Sequence, residues 1–166
     1  DRPQFFPRYP FATDRAERDP CPDLRGALPT PQENHFAAST KPQAVGELLR
    51  AIDGFRGTFP VLCALKLSPM LFVRPGELRT AEWAHFDLEN ATWEYLVSKT
   101  KTDHLVPLAT QAVAILRELK ALTGEGRYVF PGGRTAARPM SGAAVNAALR
   151  RLGYDTRTEI TGHGFR

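Results

Sequence analysis

The stretch Phe59–Val97, FPVLCALKLSPMLFVRPGELRTAEWAHFDLENATWEYLV, decides the fold class. Phe59 to Val73 is its most apolar part, interrupted by Lys66, Ser68 and Pro69, and predicts a buried helix. Pro75 to Trp83 predicts a short helix that starts at the proline, because proline's fixed φ suits the first helical position. His85 to Val97 then alternates in part, with Glu89-Asn90 at a turn, which predicts a hairpin. Helix, helix and hairpin in that order exclude an all-β fold and point to a mixed, mainly helical domain with a small antiparallel sheet.

Working outward, Val45–Phe55 (VGELLRAIDGF) puts Val45, Leu48, Leu49 and Ile52 on one helical face. Downstream, His104–Leu108 (HLVPL) is a further strand candidate. Thr110–Leu122 predicts an amphipathic helix with Val113, Ile115, Leu116 and Leu119 as its apolar residues. Tyr128–Pro131 reads as a brief extended segment. Ser141–Leu152 predicts a helix with Ser141 as its N-cap and Gly153 as its stop. Thr161–Arg166 reads as the start of a helix. Upstream, Gly26–Pro42 (GALPTPQENHFAASTKP) has the Pro, Ala, Ser and Thr content of a linker. Before it, Phe11–Leu28 contains a short helical piece ended by Pro20 and Pro22, too small to fold alone, which reads as the tail of a preceding domain.

The chain has 166 residues, 42% hydrophobic and 24% charged, which fits one core-bearing domain and excludes disorder of the whole. No apolar run reaches the roughly 18 residues of a membrane span. The N-terminus, DRPQFFPRYP, lacks the charged-then-apolar layout of a signal peptide. Cys21 and Cys63 belong to no CxxC or metal-spaced set and read as reduced, inert thiols of a cytosolic protein. The four histidines, His35, His85, His104 and His163, show no ligand-like spacing with carboxylates or cysteines. Net charge is +4, compatible with a nucleic-acid partner but insufficient alone to argue for one.

Three short segments carry the chemistry. In Arg74-Pro75-Gly76-Glu77, proline at the first helical position makes Arg74 the N-cap and Glu77 the third helical residue, near the positive end of the helix dipole. A guanidinium held there suits bidentate phosphate binding. In Ser98-Lys99-Thr100-Lys101-Thr102, between two strand candidates, a hairpin turn carries two lysines. A lysine whose pKa is lowered by neighbouring cations can protonate a leaving oxygen. In Thr161-Gly162-His163-Gly164-Phe165-Arg166, His163 and Arg166 are three apart and share a face. Thr161 is a candidate N-cap, and free backbone N–H groups there favour an anion. Each segment alone has a blander reading: a surface arginine at a turn, a solvated basic turn, an incidental His-x-x-Arg.

Their order and spacing together resemble the tyrosine recombinase (phage integrase) family. The wider match lies in LFVRPGELRTAEWAHFDLENATW, KTDHLVPL, YVFPGG, RPMSGAAVNAALRRLGY and EITGHGFR, which look like the integrases of prophages and genomic islands. TDRAERDPCPDLRGAL resembles the end of that family's core-binding domain. The resemblance implies a core-binding tail over 1–25, a linker over 26–42 and a catalytic domain over 43–166, lacking its C-terminal part. It implies a catalytic set of Arg74, Lys99, His163 and Arg166. Arg74 and Arg166 would bind the scissile phosphate. Lys99, the eighth residue counted back from Val106, would protonate the leaving 5′ oxygen. Lys101 ranks behind it and would contact DNA. His163 would act as acid or base. Glu77 would orient Arg74.

The same resemblance implies double-stranded DNA at attachment sites as partner, with other integrase protomers, no membrane, no metal, no cofactor and a cytoplasmic, nucleoid-associated bacterial setting. The reaction it implies is DNA integration and recombination through a 3′-phosphotyrosyl link. In the family a second His or Trp and the nucleophilic tyrosine follow His-x-x-Arg, whereas Tyr9, Tyr95, Tyr128 and Tyr154 all precede it. The expectation is therefore that these residues by themselves neither cleave nor covalently trap DNA. The alternative reading is a non-catalytic DNA-binding remnant of a prophage integrase.

Overall fold

A computed structural model describes residues 35–97 and 100–166. By its contacts the chain divides between His35 and Phe36, and the unit Phe36–Arg166 holds every element named below. Five α-helices and one three-stranded sheet are found among the described residues, an α+β architecture as the sequence predicts. The helical piece read upstream of the linker, and Cys21, lie outside the described residues.

Helix α1 (Pro42–Asp53) buries Leu48 and Ile52. Leu49, read as part of the same face, is 41% exposed. At about 100° per residue, the Leu48–Ile52 ridge leaves Leu49 on the flank. Helix α2 (Phe59–Leu71) is the centre of the unit and buries Cys63, Ala64, Leu65, Leu67, Ser68 and Leu71. It packs against α1, α3 (Pro75–Arg79), α4 (Thr110–Thr123), α5 (Ala144–Arg151) and a 3-10 turn at Gly162–Phe165. A helix apolar on all sides needs neighbours on all sides, which is why α2 organises the rest. No helix among the described residues is long and apolar enough to cross a membrane.

The sheet runs β1 (Phe86–Asp87), β2 (Thr92–Leu96), β3 (Asp103–Pro107), all antiparallel, with Trp93 opposite Val106 and Tyr95 opposite His104. The β1–β2 turn is fixed by Asp87, whose carboxylate accepts from the backbone N–H groups of Glu89 and Asn90 at 3.0 and 2.9 Å. Alternation sends Trp93 and Tyr95 inward and Glu94 and Leu96 outward. Phe86, Trp93 and Tyr95 stack in series at 4.9 and 4.4 Å between ring centres, and His104 meets Tyr95 edge-on at 5.4 Å. The ladder is well packed, although Trp93 Nε1 is buried without a hydrogen-bond partner.

Three further readings need correction. The helix expected over Pro75–Trp83 ends at Arg79, and Trp83–His85 forms a separate 3-10 turn. The Trp83 backbone N–H donates to Arg127 O at 3.1 Å, a bond that continued helix would forbid. Ser141 does not cap α5, which starts at Ala144 with Ala143 as N-cap. Its hydroxyl instead accepts from Ala143 N two residues on, closing a local turn. Thr161–Arg166 forms a 3-10 turn rather than the first turn of an α-helix, although Thr161 does cap it. Gly153 stops α5 as expected, at φ +96°, where a β-carbon is costly.

Candidate functional site

Arg74 is aimed by a bend in the backbone. Helix α2 contains Pro69 and ends at Leu71, and Phe72 follows in the left-handed region at φ 52°. That conformation is uncommon for a residue with a β-carbon, and it reverses the chain sharply. Arg74 then runs extended at φ −66°, ψ 142°, as a residue before proline must. Pro75 opens α3, so Arg74 is the N-cap and Glu77 the third helical residue, as the tetrapeptide predicts.

Glu77 holds Arg74 twice. Its Oε1 accepts from Arg74 Nη1 at 2.8 Å and its Oε2 from the Arg74 backbone N–H at 3.1 Å. A third donor was not evident from the sequence: the Tyr95 hydroxyl donates to Glu77 Oε2 at 2.9 Å. The Arg74 side chain is 38% exposed and that of Glu77 13%. The guanidinium therefore keeps an open side while its anchor is mostly covered. Burial alone would raise the Glu77 pKa, but the bonds from Arg74 and Tyr95 and the Arg74 charge together hold it below the ordinary carboxylate value. Burial, then Glu77, pushes the Tyr95 hydroxyl up, while the positive charges of both Arg74 and Arg166 act to lower it. Tyr95 thus lies within the field of both arginines.

The His163–Arg166 segment is held at its start. The Gly162 backbone N–H donates to Asn146 Oδ1 on α5 at 2.8 Å, and Gly164 N donates to the capping Thr161 Oγ1 at 3.1 Å. A β-carbon on Gly162 would come within 3.5 Å of Pro75 Cγ and 3.4 Å of Val145 Cγ1. The turn that begins at Gly162 is therefore wedged between α5 and the residue that follows Arg74. Two of the three motifs meet there. His163 and Arg166 are exposed.

Lys99, the preferred hairpin lysine, lies with Ser98 outside the described residues. The flanks of its turn are fixed: Val97 N donates to Thr102 O at 2.9 Å and Lys101 N to Val97 O at 2.8 Å. Lys101 is exposed and left-handed at φ 55°. Among the described residues no group of His, Cys, Asp and Glu could hold a metal ion. Cys63 is buried, and its thiol is pushed up to about 11 by burial and by Glu118.

Residues 39–166 match the family model described as the phage integrase family. The chain belongs to that family. It is 38% identical over 173 residues to the integrase of Enterobacteria phage P4, covering 96% of this chain and 39% of that protein. To the prophage integrase IntZ of Escherichia coli K12 it is 34% identical over 164 residues, again covering 96% of this chain and 39% of the relative. The chain thus spans well under half the length of these relatives. Among solved structures, a lambda integrase dimer bound to a COC′ core site superposes with a TM-score of 0.67 at 17% identity, covering 96% of this chain and 56% of that one. XerA recombinase superposes at 0.61 and 18% identity, covering 82% of this chain and 49% of that one. At such identities the likeness is one of fold: this unit has the fold of a tyrosine recombinase catalytic domain.

Proposed function

We propose that residues 43–166 form the catalytic domain of a site-specific DNA recombinase, preceded by a linker over 26–42 and the tail of a core-binding domain over 1–25. The observation that carries this reading is Arg74, pinned by a carboxylate with one side left open, beside the wedged turn that bears His163 and Arg166. In this reading the two guanidinium groups share a single phosphate, to whose oxygens charge-assisted, bidentate bonds are strong and directional. Supporting evidence comes from relatives named integrases and from a like-folded lambda integrase bound to a DNA core site.

In this reading the substrate is double-stranded DNA and no cofactor or metal takes part. Arg74 and Arg166 bind the scissile phosphate and stabilise the charge that develops on it. His163 moves a proton as acid or base. Lys99 protonates the leaving 5′ oxygen, and Lys101 contacts the backbone. Glu77 and Tyr95 orient Arg74 and do not react. Integration and excision would proceed through a 3′-phosphotyrosyl link, with further protomers on the same DNA and a cytoplasmic setting. The described tyrosines are poorly suited as nucleophile. Tyr95 is buried and bonded to Glu77, while Tyr128 and Tyr154 are half-buried in the fold. In this reading none of the described tyrosines attacks DNA, and Tyr9 lies outside the described residues. A remnant that only binds DNA remains the second reading, favoured by this same engagement of the tyrosines.

The test is incubation of the 166-residue chain with a nicked duplex, followed by denaturing electrophoresis. The expected result is salt-sensitive, sequence-tolerant binding and no covalent adduct, with an adduct appearing when a tyrosine-bearing downstream segment from the phage P4 relative is fused to Arg166. An adduct on Tyr9, Tyr95, Tyr128 or Tyr154 overturns the site assignment. No adduct from the fusion, with binding intact, favours the binding-only reading.

A further inference from the structure

Phe36 is the first residue of the compact unit, and its ring lies flat on the His163 imidazole, with centroids 4.2 Å apart and planes 11° from parallel. Phe36 is 64% exposed, so removal of apolar surface from water does not account for its place. What places it is the backbone beside it. Ala37 O accepts from Thr161 N at 3.0 Å and from Thr161 Oγ1 at 3.4 Å, and Thr161 is the residue that caps the His163–Arg166 turn. The approach is close enough to require glycine at 164, where a β-carbon would collide with Ala37 O and come within 3.0 Å of Ala38 Cα. The incoming chain and the turn are thus fitted backbone to backbone, and the aromatic stack closes the contact over His163.

We infer that Phe36 is a positioning residue for the His163–Arg166 turn: the chain entering the unit stacks on His163, while Asn146 on α5 holds Gly162. The inference rests on the reading of Arg166 as a phosphate ligand. His163 and Arg166 are both exposed and sit on a single 3-10 turn, which has few bonds of its own to fix them. A flat aromatic neighbour restricts the imidazole to one orientation without occupying its ring nitrogens, which stay free for a proton or a phosphate oxygen.

The experiment uses the 166-residue chain with Phe36→Leu and Phe36→Tyr, read by the ring-proton signals of His163 and by affinity for a short double-stranded DNA of arbitrary sequence. A stacked ring shields the His163 protons. Phe36→Leu is expected to move them downfield and to weaken DNA binding about two- to tenfold, the range of an aromatic pair's contribution. Phe36→Tyr is expected to restore both, and thermal melting of both variants should stay close to wild type because Phe36 is mostly exposed. In an Arg166→Ala background Phe36→Leu should weaken binding little further, as expected of residues acting through one turn. Unmoved His163 signals, or losses that add fully in the double variant, would overturn the inference. If Arg74→Ala and Arg166→Ala leave DNA binding unchanged, the site reading itself fails and the inference falls with it; a loss in both with Phe36→Leu silent rejects the inference alone.

Discussion

Replacing Glu77 by glutamine keeps the shape of the side chain and removes its charge. Glu77 accepts three bonds, two on Oε2 from Arg74 N and the Tyr95 hydroxyl and one on Oε1 from Arg74 Nη1. A glutamine has one acceptor oxygen, so its NH2 must face a donor whichever way the amide turns. Bonds to a charged group are worth about 1.5–3 kcal/mol each, and at least one is lost outright. Arg74 is 38% exposed and can turn to water, which limits the loss. The expected destabilisation is about 2 kcal/mol, equivalent to roughly 4–10 °C in melting temperature for a unit of this size. Because folding lowers the Glu77 pKa, its contribution is fully present above the ordinary value of 4.5 and is lost as pH falls through the folded value. Thermal melts of wild type and Glu77→Gln should therefore differ by a constant amount from pH 6 to 8, and the gap should start to narrow only as pH falls below about 4.5 towards the lower, folded value. Melting curves that coincide at pH 7, or a gap that persists unchanged at the acid end, would refute the reasoning.

Further outcomes follow from the same contacts. Gly164→Ala should cost about 1–3 kcal/mol in denaturant unfolding, because the new β-carbon meets the Ala37–Ala38 backbone and Ile160 Cδ1 rather than a side-chain end that can swing away. Asn146→Ala should cost about 1–2 kcal/mol, since it leaves the buried Gly162 N–H without its acceptor. Cys63, with its thiol pushed up to about 11, should resist alkylation at pH 8 in the folded protein and react fully in denaturant.

Much of the fold was legible because its signals are local. Pro75 sets Arg74 and Glu77 in their helical positions by backbone geometry alone, and Asp87 and Asn90 fix the hairpin turn within four residues. The residues that complete the site were not legible for a physical reason. Tyr95 alternates inward with Trp93, so a tyrosine there reads as core until the fold brings Glu77 beneath its hydroxyl. Phe36 sits in a Pro- and Ser-rich stretch that reads as linker, and its partner His163 lies at the other end of the chain. Asn146 on an amphipathic helix reads as a solvent-side residue, although its amide takes the Gly162 N–H. The one sequence signal that could have flagged these contacts is the pair of glycines flanking His163, which marks a close backbone approach without naming what approaches.

The central claim is that Arg74 and Arg166 serve one phosphate. The most direct measurement is a nuclear magnetic resonance titration of the 166-residue chain, with guanidinium Nε signals assigned, against a short DNA duplex at low salt. The account predicts that the Arg74 and Arg166 signals shift together with a single dissociation constant that weakens as salt rises, and that Arg74→Ala abolishes the Arg166 response. Shifts confined to one arginine, or two responses with separate constants, would contradict it.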